Sequence, residues 1–478
     1  MLAILLTIFS SIFNSGIPTD SLELPIDSIT TPVDSTINRY VEIDNIFIIG
    51  NRRTHEKIIL REMSIEKGQI IYLPDLQLQL TKDESKILNT RLFNTVALTI
   101  LELSPDKVDI VVRVEERWYF FPVPIFELID RNFNDWWVNR DHDFNRVKYG
   151  LRLNHYNMRG RNERLKLIAQ FGITRRLGVL YSIPYIDRTQ KHGVQIQVNY
   201  KEHINQAYKT EDHIPLVHSS EKILYQQFSS DIKYTHRGQF YIFHEIRAGY
   251  VNSKINDSIN LLNPLYFNNN SQEQKYFSLS YRFRQDKRDF VAYPLKGYKT
   301  EILIKQKGFG IFKDLNLFTF DASFAKHIDL GKKFYLSNFS NVYFSTPSNQ
   351  PYSDFHGLGY GSKLVRGYET YIIEGVNYFL NKTTFKKTLI DGKFNLFGFV
   401  PNQFKKVPYA VYFKTFFDFG YAENYPNYVQ NNLLSDQWIY SGGIGIDIVT
   451  YYDSVIRLEY SLNAQNQYWF NLDLKKEF

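Results

Sequence analysis

Apolar and polar residues alternate along most of this chain. Val147, Tyr149, Leu151 and Leu153 oppose Arg146, Lys148, Arg152 and Asn154, and Phe277, Leu279, Tyr281 and Phe283 oppose Ser278, Ser280, Arg282 and Arg284. Farther on, Ile456, Leu458, Tyr460 and Leu462 oppose Arg457, Glu459 and Ser461. The last segment sets Tyr468, Phe470, Leu472 and Leu474 against Asn471, Asp473 and Lys475 before stopping at Phe478. A period of two predicts strands with one apolar and one polar face. From Trp118 onward it recurs in roughly sixteen segments of about 10–14 residues, the length a tilted strand needs to cross the hydrocarbon layer. The polar face carries full charges on strand after strand, which a wet lumen accepts and a dry core does not. Aromatic residues gather at strand ends, where membrane interfaces place them. The pattern predicts an all-β, 16-stranded antiparallel transmembrane β-barrel over 118–478 rather than a soluble sandwich.

The first quarter of the chain has another rhythm. Val41–Ile49 is strand-like and ends at Gly50-Asn51. Thr54 is placed to N-cap a helix running through Met63, with Ile58, Ile59 and Met63 near helical spacing. Pro74 suits the first turn of a second helix that carries Leu76, Leu80 and Ile87 on one side. Thr81-x-x-Glu84 mimics a capping box inside that helix and is read as coincidence. Strands over Thr95–Leu103 and Val108–Val114 complete a small α+β domain, 40–117, in the order β-α-α-β-β. Before it, 17–39 reads as a Ser/Thr/Asp/Pro-rich linker. The apolar run 1–13 is too short to span a bilayer, and 1–16 reads as a signal peptide, though it has no basic start and no Ala-x-Ala site.

Composition narrows the choice of partners. Tyr and Phe number 35 and 38 against 3 Met, an enrichment that favours strands. Mean hydropathy is −0.34, which excludes a bundle of membrane helices but not a barrel with a polar lumen. The net charge of +7 comes from Lys and Arg that recur singly along strands, not in a run, so no nucleic acid partner is expected. With no Cys there is no disulfide, thiolate metal site or Cys nucleophile. Gly357-Leu358-Gly359-Tyr360-Gly361 lacks Walker spacing and a following helix, so it is not read as a phosphate loop. The 11 His show no ligand spacing, and Asp141-His142-Asp143 reads as a solvated loop. Neither enzyme activity, metal nor cofactor is expected.

Several motifs carry a family likeness. Gly50-Asn51-x-x-Thr54, Asn89-Thr90-x-Leu92-Phe93-x-x-Val96 and Val114-Glu115-Glu116-Arg117 make 40–117 resemble a POTRA module, a small periplasmic domain. Three barrel motifs follow: Asp286-x-Arg288-Asp289 with Pro294-x-Lys296-Gly297; Gly357-x-Gly359 before Val365-Arg366-Gly367-Tyr368; and Phe416-x-Asp418-x-Gly420. Together with the terminal Phe478, they make the chain resemble the BamA/TamA outer-membrane assembly superfamily, which includes two-partner secretion translocators. The chain carries one POTRA module where the long assembly factors carry several. The resemblance implies a bacterial outer-membrane protein with a periplasmic POTRA domain and ATP-independent insertion or translocation of polypeptides. Its implied partners are outer-membrane lipids, unfolded or nascent polypeptides received by strand addition, and accessory lipoproteins. The alternative is a passive channel or structural surface protein on the same scaffold.

The residues themselves say more about two places. Val411, Phe413, Phe417 and Phe419 share one parity, so Lys414 and Asp418 face the other side, the lumen if the aromatic face meets lipid. A carboxylate there wants a cation, and a guanidinium pairs with it bidentately where Lys cannot. The resemblance makes Arg366 that partner, with Gly367 allowing a tight turn beside it. The second place is Phe121-Pro122-Val123-Pro124-Ile125 in the first barrel strand. Proline lacks the ladder N–H, and residues two apart face the same neighbour. Both gaps are therefore expected on the side of the last strand, which ends at Phe478, leaving a weak seam between first and last strands; the alternative is that both prolines lie in the periplasmic lead-in before the barrel.

Overall fold

The computed structural model describes residues 39–128, 147–395, 406–426, 428–450 and 454–476. The expected signal peptide, nearly all of the linker, Arg146, Asp141-His142-Asp143 and Phe478 lie outside these residues.

The N-terminal domain is built from β1 (Tyr40–Ile49), α1 (Glu56–Leu60), β2 (Ile70–Tyr72), α2 (Leu73–Asn89), β3 (Phe93–Ser104) and β4 (Lys107–Glu116). Its sheet has the order β2-β1-β4-β3, with β1 and β4 parallel and the other pairs antiparallel. The strand β2 makes the order β-α-β-α-β-β, not β-α-α-β-β. At three residues it is too short to show any alternation. Helix α2 begins with Pro74 in its first turn and buries Leu76, Leu80 and Ile87 against Val108, Ile110 and Val112 of the sheet. Each such side chain contributes ~1.5–3 kcal/mol through loss of apolar surface. Thr54 does not cap α1, which is shorter than expected and has His55 in the capping position. The Thr54 hydroxyl instead donates to Glu116 Oε1 at 2.6 Å. An ionised acceptor outcompetes the helix end for that hydroxyl. Thr81 Oγ1 bonds back to the Gln77 carbonyl at 3.0 Å and caps nothing.

Twenty more strands follow among the described residues. The first are β5 (Phe120–Leu128), β6 (Val147–Met158), β7 (Glu163–Gly172), β8 (Thr174–Ile183) and β9 (His192–His203). A small hairpin, β10 (Asn205–Glu211) with β11 (Ile214–Ser219), stands apart from the main sheet. Then come β12 (Tyr225–Gln239), β13 (Ile242–Ile255), β14 (Glu273–Asp286), β15 (Gly297–Lys307), β16 (Leu317–Gly331) and β17 (Phe334–Thr346). The two-residue strands β18 (Gly357–Leu358) and β19 (Ile373–Glu374) pair within one long loop. The series ends with β20 (Asn377–Asn395), β21 (Lys406–Glu423), β22 (Trp438–Thr450), β23 (Ser454–Asn463) and β24 (Tyr468–Lys476). Sixteen of these, β5 through β24 without the two small pairs, form a single antiparallel sheet in chain order.

One face of that sheet is apolar and exposed along its whole width. Leu151, Phe171, Leu177, Val198, Ile232, Ile246, Leu279, Val342, Phe417, Ile444 and Leu472 all stand more than a third open. No water-soluble domain leaves so continuous an apolar band uncovered. The other face holds buried polar groups, among them Asn154, Glu245, Asn341, Lys414, Asp418, Asp447 and Glu459. Among the described residues no helix is long and apolar enough to cross a membrane.

The N-terminal domain sits against the turns at one end of the sheet. Arg237, at the end of β12, forks onto Glu62 with both N–O distances at 2.6 Å. Lys86 of α2 stands over the Phe240 ring at 3.8 Å, and Arg61 over Tyr185 at 4.2 Å. Asn89, the last residue of α2, donates to the Asp289 carbonyl and accepts from the Val291 amide. The Arg288-Asp286 pair braces that same turn at 2.6 Å. Glu62 is only 3% exposed, so Glu62→Ala strands the Arg237 charge at the junction. That variant is expected to weaken docking by about 3–5 kcal/mol. Limited proteolysis at the junction reads the effect, and the Glu62→Arg/Arg237→Glu swap should restore protection.

Candidate functional site

The loop between β17 and β20, residues 347–376, folds back into the cavity of the sheet and presents Val365-Arg366-Gly367-Tyr368 to strands β20 to β23. Arg366 Nε and Nη2 grip the two oxygens of Asp418 at 2.7 and 2.5 Å. The Arg366 amide adds a bond to Asp418 Oδ2 at 3.2 Å. The guanidinium lies flat on Phe416, 3.8 Å from the ring centroid, and Nη2 also reaches Thr384 Oγ1 at 3.1 Å. Asp418 is fully buried and Arg366 is 9% exposed, so each charge depends on the other.

The neighbouring motif residues make room for this grip. Gly367 has φ +88°, and a Cβ there would crowd Ser461, Asn463 and Ser441 at 3.3–3.4 Å. Its carbonyl accepts from Asn463 Nδ2 at 2.8 Å. Tyr368 is fully buried with Val365, Leu358 and Ile439 in a small apolar core inside the barrel. At Gly420 any side chain would collide with Leu358 Cδ1 at 2.9 Å, so this position lets the loop lie on β21. Gly357 and Gly359 flank Leu358 at the base of the same loop, and the β18–β19 ladder closes it. No helix follows them.

The sequence alone does not reveal the rest of the network. Lys414 bridges Asp447 at 2.5 Å and Glu459 at 2.6 Å, and Glu459 reaches Arg366 Nη1 at 3.4 Å. Tyr293, from the turn after β14, donates its hydroxyl to Asp447 Oδ2 at 2.8 Å. With Arg457 also 3.7 Å from Asp447, three carboxylates and three cations thus share one cluster over β21, β22 and β23. Apart from Arg366 in the loop, each sits on a strand whose alternation alone gives no reason to single it out. The usable signal was inward parity, shared by Lys414 and Asp418 on β21 and by Glu459 on β23. Three histidines far apart in sequence, His192, His236 and His244, come side by side on β9, β12 and β13, with ring centroids 4.9 and 6.2 Å apart. They lie on the outward apolar face, and no group of metal-binding geometry occurs among the described residues.

At the first strand, Pro122 pairs with Leu153 and Pro124 with Leu151. A ladder pair that includes proline cannot be of the hydrogen-bonded kind, so both backbone nitrogens point away from β6. Tyr119 agrees, since its carbonyl accepts from the Tyr156 amide and so sets odd-numbered residues toward β6. The outer edge of β5 therefore lacks two donors. Among the described residues β5 pairs with β6 and β24 with β23, and no ladder joins β5 to β24.

At the end far from the N-terminal domain, three loops lock together over the barrel. His213, at the tip of the β10–β11 hairpin, is fully buried. Its amide donates to Asn431 Oδ1 at 2.6 Å, its Nε2 takes the Leu434 amide at 2.6 Å, and its carbonyl takes the Ile372 amide at 2.8 Å. Beside it Glu374 accepts from Tyr360 and Thr210 at 2.8 and 3.1 Å. Burial pushes the Glu374 carboxyl up to about 7 despite those two donors. A raised folded-state value means stability present below the ordinary carboxylate range and lost as pH rises through 7. Burial lowers His213 from the ordinary imidazole value. Hydrogen-exchange protection factors in these loops, referenced to the intrinsic exchange rate at each pH, are expected to fall between pH 6 and pH 8, and Glu374→Gln is expected to flatten that fall.

Comparison with known proteins agrees with this architecture. Residues 157–467 match the family model described as the Omp85 superfamily domain, and residues 41–117 match the POTRA model, described as a surface antigen variable number repeat. No curated protein matches the chain. Among solved structures, CdiB from Escherichia coli superposes with a TM-score of 0.53 at 11% identity, covering 91% of this chain and 75% of that one. BamA from Haemophilus ducreyi lacking POTRA domains 1–3 gives a TM-score of 0.48 at 15% identity, covering 92% of this chain and 82% of that one. At these identities the likeness speaks only for the fold.

Proposed function

This chain belongs to the Omp85 superfamily, and on that premise we propose that it inserts or translocates polypeptides at the bacterial outer membrane without ATP. The observation that carries the proposal is the donor-poor outer edge of β5. Without the two N–H groups of Pro122 and Pro124, a β5–β24 closure forgoes two ladder hydrogen bonds. Each backbone hydrogen bond contributes about 0.5–1.5 kcal/mol net, so the seam parts more readily than its neighbours. A parted seam offers strand edges to which an incoming chain adds by β-augmentation.

The POTRA domain would supply the client. Among the described residues its edge strand β3 pairs only with β4, and Leu101 and Leu103 stand exposed near its end. A long exposed edge of this kind is a template for strand addition. The domain touches the barrel turns directly through Glu62 and Asn89. The Arg366–Asp418 grip would hold the inner loop against β21 to β23 and keep the wall near the seam in shape. No step in this scheme makes or breaks a covalent bond, so the protein acts as an assembly or translocation factor rather than an enzyme. The interlocked loops around His213 cover the outer mouth, which argues against a freely conducting passive channel. Depletion in the native cell tests the proposal: unfolded outer-membrane proteins should accumulate in the periplasm. A change in solute uptake without that accumulation contradicts it.

A further inference from the structure

The lumen wall formed by β6 to β9 carries a row of cations. Arg164 and Lys166 lie two residues apart on β7. Arg152 of β6 is in register with Ile168, and Arg176 of β8 with Gln170 and with Lys201 of β9. Measured along β7, the charges therefore occupy positions 164, 166, 168 and 170. The outward residues on these strands are Leu151, Phe171, Leu177 and Val198, so the five cations share the inward face. Among the described residues none of the five has a carboxylate partner. The nearby acids are already engaged: Glu245 by Lys233, Arg282 and Arg284, Asp286 by Arg288, and Glu62 by Arg237. On the far wall Asp418 and Glu459 are held by Arg366 and Lys414.

The foot of this file opens into a cavity of about 580 Å³ between the POTRA domain and the barrel mouth. Ten of its lining residues are Lys or Arg and three are Asp or Glu. Asn154, in register with Lys166 and only 4% exposed, has an Nδ2 without a partner, and so does the buried Nε of Arg152. These are donors waiting for an acceptor.

We propose that this file binds an extended acidic segment of the polypeptide client as it passes from the POTRA domain into the lumen. The inference rests on the functional reading above and adds the chemistry of the client. Projected onto β7 these charges recur about every 6.8 Å over about 20 Å, with Arg152 one strand to one side of β7 and Arg176 and Lys201 one and two strands to the other. A compact anion needs its cations converging on one point, whereas an extended chain with an acid at alternate positions repeats at the same interval as the wall. Matching potentials also draw such a segment toward the file.

The test uses the purified full chain in detergent and a short fluorescent peptide alternating Glu and Thr, followed by anisotropy. Binding is expected to weaken steeply with salt, and the Arg152→Gln/Lys166→Gln variant should bind about tenfold more weakly. Heat-modifiable mobility on gels verifies that the variant barrel is folded. Equal binding of a Lys-Thr peptide, an unchanged affinity in the variant, or equally strong displacement by inorganic phosphate at matched ionic strength overturns the inference. Wild-type protein that inserts clients but ignores the acidic peptide sinks this inference alone. Protein that binds the peptide through these residues but inserts nothing upholds the site and sinks the functional reading instead.

Discussion

Arg366→Ala should leave a barrel that forms but whose inner loop no longer holds, with client insertion reduced to background. The substitution removes a bidentate partner from a fully buried carboxylate and a second contact from Glu459. Breaking a buried pair at one end costs about 3–5 kcal/mol, because the surviving charge stays desolvated. Phe416 also loses the guanidinium stacked on it. Arg366→Lys keeps the charge but not the planar fork, so it should recover only part of the loss. Asp418→Ala should match Arg366→Ala, and the double variant should cost less than the sum of the two. Protease sensitivity of the loop 347–376 and insertion rate are the two readouts. A single variant with native loop protection and full activity would remove the lock from the account.

Locking the seam is expected to have the other large effect. The chain has no Cys, so introduced pairs react only with each other. One cysteine on β5 and one on β24, brought together under oxidising conditions, should reduce insertion to background, and reductant should restore it. A matched pair across β6 and β7, which remain joined in either state, should have no effect. The contrast separates a need for seam opening from general stiffening of the barrel. Full activity with complete β5–β24 cross-linking would show that clients do not use this route.

Much of the fold was legible because alternation is a direct record of which side of a strand meets lipid. The exposed faces of Leu151, Leu279 and Leu472 follow the period-two pattern that their sequences display. The parity of Val411, Phe413 and Phe417 set Asp418 inward, and its carboxylate is fully buried in the structure. What stayed hidden depends on register, which no single strand encodes. Glu459 meets Lys414 only because β22 places Gly445 between them, with room for both side chains. Thr54 looked like a helix cap because its local sequence fits one. Its partner, Glu116, is 62 residues away and belongs to the end of β4. The short strand β2 left no periodic trace at all. Local chemistry was readable, then, wherever the partner was local or the face was uniform.

The most direct measurement puts purified full-length protein into liposomes with no nucleotide and no other protein, then adds a urea-unfolded outer-membrane barrel. Folding is scored by heat-modifiable mobility and protection from protease. The account predicts that the client folds into these liposomes markedly faster than into empty ones. A client folding rate equal to that of empty liposomes, alongside a raised flux of small solutes, would contradict it.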